Sequence, residues 1–424
     1  MSKVEEYIDE AFRVGTKRKR NRPEIIKIIK NYDKCKKRLL EYIKTGNYKP
    51  IIHKAKVIND GFKLKKRIII QPYFTPNKPE QWIQHIVVQV LKPFFMKGMY
   101  EFSCGSVPNR GVHYGKKYLE KFIKENPKKI KYVLKADIHH FYENINTNLI
   151  KDRLKKYIKD EKFLELVYFI LDSNAGYLPS GEIYRPGLPI GFYTSQWFAN
   201  WFLQPFDHYI KEELRADFYM RYMDDIVIFS SNKRQLKKML FKIDKYLKTL
   251  DLELKDNYQI FLFDYTDKNG EKHGRFIDFM GFKFYRNKTT IRKSVFLRAR
   301  RLAIRLNKKH KISWYDACRM LSYMGWFLPT DTFGSYKKYI ESQKTKTDAQ
   351  QLLQKCIEDL QIQLSQTNVK YNEQLQNGKL SEEEENNAKA LISSLEQKLK
   401  VLTFIYDNGI QNLKSNKTGL FYVQ

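Results

Sequence analysis

The sequence predicts an α+β fold, because short apolar segments of strand length alternate with longer segments of helical character. Two of the short segments carry acidic residues. Residues 133–138 contain Asp137, and residues 218–229 are apolar on both sides of Asp224 and Asp225. The second pattern is typical of a β-hairpin with its acids at the turn. The sequence therefore predicts three carboxylates at the ends of buried strands.

Composition favours a folded protein that does not enter a membrane. The chain has 424 residues, of which 42% are hydrophobic and 15% aromatic, enough for two or three domains. It contains neither a long apolar run nor the apolar core of a signal peptide, so we expect a cytoplasmic protein with no membrane partner. Its four cysteines lie far apart without a C-x-x-C pair, which predicts neither a disulfide framework nor a zinc site.

The charge of the chain indicates a polyanionic partner. The net charge is +32, and aromatic residues are interleaved with the basic ones, which favours nucleic acid over a membrane surface. Residues 1–340 contain 69 basic and 36 acidic residues, whereas residues 341–424 contain 10 lysines and 11 acidic residues. We therefore expect a domain boundary near residue 340, with nucleic-acid binding confined to the part before it.

The predicted elements follow one another in a definite order along the first 340 residues. A basic helical region is expected over residues 1–60, where Pro23 followed by Glu24 is typical of a helix start. After it we expect a basic β-ribbon over residues 63–71, a buried helix over 81–95, the first acidic strand over 133–138, a helical segment over 149–171, a Gly/Pro turn over 187–191, an aromatic helix over 195–214 and then the acidic hairpin.

Three carboxylates among apolar flanks are costly unless a cation offsets their charge. Mg²⁺ prefers oxygen ligands, and two such ions about 3.5–4 Å apart assist phosphoryl transfer by acting on the attacking and leaving oxygens. Two Mg²⁺ ions are the predicted cofactor, with Mn²⁺ able to substitute. An isolated Asp-Asp pair is more often only a turn, so the surrounding motifs decide between the two interpretations.

Those motifs resemble reverse transcriptases. Residues 221–229, Arg-Tyr-Met-Asp-Asp-Ile-Val-Ile-Phe, resemble the catalytic hairpin of that family, and residues 137–142, Asp-Ile-His-His-Phe-Tyr, resemble its first acidic motif. Residues 187–200 contain Gly-Leu-Pro-Ile-Gly, Thr-Ser-Gln and Ala-Asn in the order of the template and nucleotide-binding segment, and residues 280–282 resemble the primer grip. Finger motifs of the bacterial enzymes are matched between residues 67 and 111.

The resemblance covers about residues 67–339 and implies a right-hand polymerase. Residues 61–286 would form the fingers and palm, and residues 287–340 a helical thumb. Residues 341–424 would form a C-terminal α-helical hairpin extension. The implied activity is that of an RNA-directed DNA polymerase, with RNA template, dNTPs and DNA product as its partners.

The resemblance also implies a role for individual residues. Asp137, Asp224 and the Ile138 carbonyl would hold metal, with Asp225 close by as a third catalytic acid. Tyr142 would exclude the ribose 2′-hydroxyl. The nucleotide would further contact Lys65, Arg67, Ile190, Gly191 and Gln196. Nucleic acid would contact Arg110 and, in the thumb, Arg298, Arg301, Arg305 and Lys308, which recur at helical spacing opposite Val295, Leu302 and Leu306. The family usually places a lysine general acid after the hairpin; here Asn257 stands at that position and Lys255 two residues earlier, which leaves the assignment open.

Ile190 narrows the resemblance. Group II intron and retroviral enzymes usually carry Gln at this position, whereas an aliphatic residue is similar to diversity-generating retroelement enzymes and to related bacterial enzymes that defend against phage. We expect the chain to copy a cognate non-coding RNA in antiphage defence. An error-prone reverse transcriptase of a diversity-generating retroelement is the alternative within the family. A non-catalytic RNA-binding protein with a degenerate palm is the alternative of another class.

The C-terminal extension is predicted to be a helical hairpin. Apolar residues recur at helical spacing in two runs, Leu353, Ile357, Leu360 and Leu364, and then Leu391, Leu395, Leu399, Leu402 and Tyr406. Between the runs, Asn377-Gly378 interrupts the pattern, and Ser381 with Glu384 forms a capping box. Each helix would need an apolar partner surface, so we expect a homo-oligomer or a protein partner here, with an intramolecular strut as the alternative.

Overall fold

The computed structural model describes residues 2–17, 19–60, 65–308, 314–339 and 343–376, together with residues 385, 388–389, 391–393, 395–396, 399 and 403. The chain divides into two compact units, Met1–Met280 and Gly281–Gln424. Among the described residues, no helix combines the length and the apolar character that crossing a bilayer requires.

Helices form most of the regular secondary structure in the first unit. In chain order they are α1 (Ser2–Thr16), α2 (Pro23–Lys30), α3 (Tyr32–Thr45), α4 (Glu80–Met96), α5 (Val112–Glu125), α6 (Phe141–Asn144), α7 (Thr147–Tyr157), α8 (Glu161–Asp172), α9 (Tyr193–Phe202), α10 (Gln204–His208) and α11 (Lys233–Lys248). Local signals set their limits: Asn146, Asp160 and Asn232 accept backbone N–H bonds at the starts of α7, α8 and α11.

Strands form a smaller part of the regular structure of this unit. They are β1 (Ile52–Asp60), β2 (Lys65–Ile70), β3 (Tyr132–Asp137), β4 (Ala175–Tyr177), β5 (Ile183–Tyr184), β6 (Phe218–Tyr222), β7 (Asp225–Ser230), β8 (Gln259–Leu262), β9 (Tyr265–Thr266), β10 (Lys272–His273) and β11 (Ile277–Phe279). The predicted acidic strand and hairpin are confirmed as β3 and as β6 with β7.

One four-stranded sheet has the order β2-β1-β4-β5. Strands β1 and β2 form an antiparallel hairpin, and β1 pairs with β4 in parallel. The prediction that residues 1–60 are helical is wrong for β1. Buried His53 and Ala55 alternate with exposed Lys54 and Lys56, which is the two-residue period of a strand.

The second four-stranded sheet, with the order β6-β7-β3-β8, is antiparallel throughout. Helix α11 packs against β3, β7 and β8, and helix α5 packs against β6. Residues Ile226–Ser230 of β7 are all buried, as expected for a central strand. The acids therefore lie at one end of a sheet whose interior is apolar.

Two predicted helices are interrupted in the structure. The segment over residues 149–171 consists of α7 and α8, because Asp160 caps a new helix. The aromatic helix over 195–214 consists of α9, α10 and a π-helical turn, Tyr209–Glu213. Pro205 lies in the first turn of α10, where its missing N–H costs least, so a new helix begins there.

The second unit contains one antiparallel strand pair, β12 (Phe282–Phe284) with β13 (Thr289–Ile291), and helices. The helices are α12 (Lys293–Asn307), α13 (Trp314–Phe327), α14 (Phe333–Tyr339) and α15 (Gln343–Gln376). Helix α15 contacts both α12 and α13. Of the predicted C-terminal hairpin, α15 is the first helix, whereas Asn377, Gly378, Ser381 and Glu384 lie outside the described residues. The proposed divisions at residues 287 and 341 stay predictions.

Candidate active site

A two-residue turn joins β6 to β7. Tyr222 and Asp225 are paired across the hairpin, which leaves Met223 and Asp224 as the turn itself. Met223 has a φ of 55°, in the left-handed region that residues with a Cβ adopt only when their surroundings enforce it. Positive φ at the first turn residue is the geometry that tight hairpins require. Asp224 therefore projects from a turn whose conformation needs external support.

The three predicted carboxylates meet at this turn. Asp137, the last residue of β3, lies directly opposite Asp225 in the sheet register. The N–H of Ile138 donates to the Asp224 carbonyl at 3.3 Å, which places the two acidic segments side by side. Burial, together with the negative charge of Asp137, raises the pKa of Asp224 above its ordinary value.

That pair of close carboxylates fits a divalent cation. The like charge on Asp137 disfavours ionised Asp224, and a hard cation with oxygen ligands would reverse this effect. The charges of Lys255 and Arg67 act in the opposite direction and partly offset the rise in the pKa of Asp224. Two positive groups therefore already lie near the acids. Asp137 and Asp224 are the residues that would hold the metal. The role of the Ile138 carbonyl as a ligand stays a prediction.

Lys255 is the cation nearest the acids on the β8 side. Its ammonium Nζ donates to Oδ1 of Asp137, and its backbone N–H donates to the Asp137 carbonyl at 2.8 Å. The sequence left the choice between Lys255 and Asn257 open. The structure places Lys255 at the carboxylates, so it is the candidate general acid on this side of the site.

A buried ion pair lies beneath the turn. The guanidinium of Arg221 donates from Nε and Nη2 to the two oxygens of Asp207, at 2.7 and 2.6 Å. Both side chains are completely buried, and the hydroxyl of Tyr219 also donates to Asp207, at 2.6 Å. Burial alone would lower the pKa of Arg221, but the charge of Asp207 raises it above its ordinary value. A bidentate pair with its remaining groups hydrogen-bonded fixes both partners.

This ion pair reaches the turn directly. Arg221 Nη1 donates to the Met223 carbonyl at 2.9 Å and to Asn200 Oδ1 at 3.2 Å. The Asn200 side chain donates in turn to the Gly105 carbonyl at 2.8 Å. A Cβ at Gly105 would lie 2.8 Å from the Met223 nitrogen, so glycine is required there for the loop to touch the turn. Together these contacts supply the support that the positive φ of Met223 needs.

Tyr142, which is predicted to exclude the ribose 2′-hydroxyl, lies beside the acids. The charge of Asp224, added to burial, raises the pKa of Tyr142 above its ordinary value. The Tyr142 carbonyl accepts from the Leu188 N–H at 2.8 Å. A Cβ at Gly187 would lie 2.0 Å from the Ile145 carbonyl oxygen, so only glycine permits this approach. The Gly-Leu-Pro segment, residues 187–189, is thereby held against the main chain of Tyr142.

The next residues of that segment are tied to the β1–β2 hairpin. The Ile190 carbonyl accepts from the Ile70 N–H at 2.9 Å. Gly191 has a φ of 116°, and a Cβ there would lie 2.4 Å from the Ile70 carbonyl oxygen. The side chain of Gln196 is exposed at the first turns of α9. Their contacts with a nucleotide stay predictions.

Among the basic residues predicted to contact the nucleotide, Arg67 lies exposed on β2, close enough to the acids to influence Asp224. The backbone of Lys65 pairs with Asp60 at the start of β2, and its side chain lies outside the described residues. Of Lys65 and Arg67, the structure therefore describes only the side chain of Arg67.

The predicted nucleic-acid contacts fall into two groups. Arg110 donates to the Tyr100 carbonyl at 2.6 Å, so its guanidinium supports a loop of the protein itself. In the second unit, Arg298, Arg301, Arg305 and Lys308 are exposed, whereas Val295, Leu302 and Leu306 are buried. The two faces of α12 are thus arranged as the spacing predicted. Their binding role stays a prediction.

Sequence reasoning missed the residues beneath the turn. Arg221 and Asn200 lie within family motifs that do not indicate their contacts with one another, and Asp207 lies outside those motifs. A signal was available, because Asp207 is an acid within an aromatic helix, seven residues, or two helical turns, after Asn200. An acid on the buried face of such a helix indicates a buried basic partner.

Comparison with known proteins gives one family match. The family model described as "Reverse transcriptase (RNA-dependent DNA polymerase)" matches residues 73–284, half of the chain. No curated protein sequence matches.

Several similar solved structures are telomerases. Telomerase from Candida tropicalis, in complex with a TWJ fragment of telomeric RNA, is 13% identical, with a TM-score of 0.48, over 90% of this chain and 67% of that one. The corresponding Candida albicans complex is 12% identical, with a TM-score of 0.45, over 87% and 67%. Apo telomerase from Candida tropicalis, truncated from its C-terminal domain, is 17% identical, with a TM-score of 0.44. That alignment spans 57% of this chain and 56% of that one, little more than half of the telomerase.

Proposed function

The chain belongs to the reverse transcriptase family, the RNA-dependent DNA polymerases, and from this premise we propose that it extends a hydroxyl primer with dNTPs on an RNA template. The observation that carries the proposal is the meeting of Asp137, Asp224 and Asp225 at one sheet end, with Lys255 against Asp137. This arrangement disfavours the alternative of a non-catalytic RNA-binding protein, because a degenerate palm would not need to hold three acids together beside the Lys255 ammonium.

Each nearby residue has a definite task in this proposal. Asp137 and Asp224 would hold two divalent ions, Mg²⁺ or Mn²⁺. These ions would activate the primer hydroxyl and stabilise the leaving oxygen. Lys255 holds a proton within reach of Asp137 and is placed to protonate the leaving pyrophosphate. Arg67 binds the triphosphate through its planar fork of donors. Tyr142, fixed from behind by Leu188, excludes a ribose 2′-hydroxyl.

The biological setting that we propose is antiphage defence by a bacterial, cytoplasmic enzyme that copies a cognate non-coding RNA. Ile190 supports both this group and the diversity-generating enzymes. The C-terminal extension favours defence, since the diversity-generating enzymes usually end near the thumb. Sequencing of the nucleic acid that copurifies with the chain decides the matter. One dominant RNA with a faithful DNA copy supports defence, and a copy with frequent substitutions supports the diversity-generating alternative.

Substitution of the acids tests the catalytic proposal. Asp137→Asn and Asp224→Asn should each lower dNTP incorporation about a thousandfold or more, because metal-assisted charge stabilisation is worth several kcal/mol. Primer extension measures this effect, with the melting temperature and RNA affinity as controls for folding and binding. Full activity in the double variant Asp224→Asn/Asp225→Asn would disprove the proposal.

A protein partner is proposed for the C-terminal extension. Truncation after Tyr339 should leave RNA affinity and its salt dependence unchanged, because residues 341–424 carry 10 lysines against 11 acidic residues. Light scattering should show a smaller assembly for the truncated chain. Identical monomer masses with equal biological activity would instead indicate an intramolecular strut.

A further inference from the structure

A groove of about 740 Å³ lies on the outer surface of α11. Three aromatic residues line it, Tyr209, Phe241 and Tyr246, together with four lysines of α11 that include Lys238, Lys242 and Lys245. None of the described residues that line this groove is acidic. The groove is therefore both basic and aromatic.

Phe241 is the most unusual member of this surface. Its side chain is 73% exposed, whereas Leu236, Ile243 and Leu247 of the same helix are completely buried. Because those residues contribute to the core, the ring of Phe241 lies on the face of α11 that the sheet does not cover. A single exposed apolar residue needs no explanation, but this one adjoins a second aromatic feature.

The second feature is a stacked pair. The rings of Tyr209 and Tyr246 lie 4.4 Å apart with 23° between their planes, and both are partly exposed. The pair and the Phe241 ring line the same groove. Lys238 and Lys245 are seven residues apart, about 10 Å along the helix, so cations flank the rings over two turns.

We propose that this groove binds a single-stranded segment of RNA, apart from the carboxylate site. Lysines attract phosphates, and every base has a face that stacks on an exposed ring, so the combination is suited to unpaired nucleic acid. Paired RNA is a poorer fit, because its bases are not available for stacking. The inference rests on the proposed function only in naming the polyanion as RNA.

An acidic protein segment is the competing occupant. Lysines would attract it equally well, but nothing in such a segment requires flat aromatic surfaces. The two occupants therefore differ in their response to the shape of residue 241. Base stacking needs an aromatic ring, whereas an apolar protein contact accepts an aliphatic side chain of similar size.

Binding is measured on the full chain with EDTA present and a saturating primer–template duplex, so that the polymerisation site is filled. Fluorescence anisotropy then reports titration with a labelled ten-nucleotide adenylate RNA. Phe241→Ala and Phe241→Leu should each weaken binding about tenfold, while Phe241→Trp keeps it. In Lys238→Gln/Lys242→Gln/Lys245→Gln the affinity should depend less on salt. The negative slope of log affinity against log salt should decrease in magnitude by about 2.

A matched variant controls for general charge. Lys121→Gln/Lys124→Gln/Lys128→Gln removes three exposed lysines elsewhere in the same unit and should leave affinity near the wild-type value. Wild-type binding in the Phe241→Ala and Lys238 triple variants would overturn the inference, and so would full binding by Phe241→Leu. Because no DNA is synthesised in this assay, an inactive polymerase would still show the binding. Conversely, extension of a preannealed primer should be unchanged in every groove variant.

Discussion

The turn between β6 and β7 and the hairpin of β1 and β2 both present side chains to the same site, but they are supported in opposite ways. Arg221, Asp207 and Asn200 hold the turn from beneath, and all three side chains are buried. The hairpin pairs from Ala55 with Ile70 to Asp60 with Lys65, and Val57 and Ile58 are 43% and 41% exposed along it.

This difference fits the proposed function, in which the turn would hold metal ions and the hairpin would contact the triphosphate through Arg67. Acids that share a cation must be held in position before it arrives, because their mutual repulsion would otherwise separate them. A cation that binds a triphosphate serves a ligand that enters and leaves in every cycle, and an exposed strand is sufficient for it. Buried contacts beneath the turn therefore suit acids held in a fixed position, and an exposed hairpin suits a ligand that binds and dissociates repeatedly.

Removal of the buried cation should have the largest effect. Arg221→Met leaves Asp207 charged and unpaired in the core, which should cost about 3–5 kcal/mol of unfolding free energy and abolish activity through loss of the Met223 contact. Denaturant unfolding and primer extension measure the two effects. In Arg221→Met/Asp207→Leu the apolar pair should recover most of the stability but not the activity. Recovery of both would show that the pair does not position the turn.

A smaller change at the same support should act on catalysis more than on folding. In Gly105→Ala the new methyl group would lie 2.6 Å from Met223 Cγ and 2.8 Å from its nitrogen, so the turn has to shift. We expect kcat to fall about ten- to a hundredfold, as for small misplacements of catalytic groups. Gly111→Ala is the control, because nothing lies within 4 Å of a Cβ at Gly111. Equal kcat values for the two variants would contradict the support role.

The exposed hairpin should give the smallest effect. Arg67→Ala should raise KM for dNTP about tenfold, the value of a lost charge-assisted hydrogen bond. The unfolding free energy should change by less than about 0.5 kcal/mol, as for surface residues. Lys66→Ala, the exposed neighbour on β2, is the control. A large loss of stability in Arg67→Ala would remove the contrast between the two regions.

The sequence was sufficient for the parts of this site that depend on local pattern. Asp137, Asp224 and Asp225 were found because strand length and apolar flanks are visible in a single segment, and the hairpin turn followed from the same pattern. The faces of α12 followed from helical spacing. The α+β class and the reverse transcriptase family likewise follow from patterns within single segments.

What the sequence did not reveal depends on contacts between distant segments. Three such contacts require the packed structure: the pairing of Arg221 with Asp207, the approach of Gly105 to Met223 and the contact of Lys255 with Asp137. The strand at residues 52–60 was missed for a related reason. Its alternation of His53 and Ala55 with lysines is weak without a partner strand, and pairing with β2 and β4 decides its conformation.

The hydrogen bond between Ile70 and the Ile190 carbonyl has a consequence for engineering. The main chain at residue 190 is held by its own carbonyl and by the glycine that follows, so its path does not depend on which side chain is present. The half-buried side chain of Ile190 can then be replaced without a change in the path of the main chain. A library at this single position should therefore leave the melting temperature nearly unchanged. Comparison of the error rates of its members would test the predicted contact between residue 190 and the nucleotide.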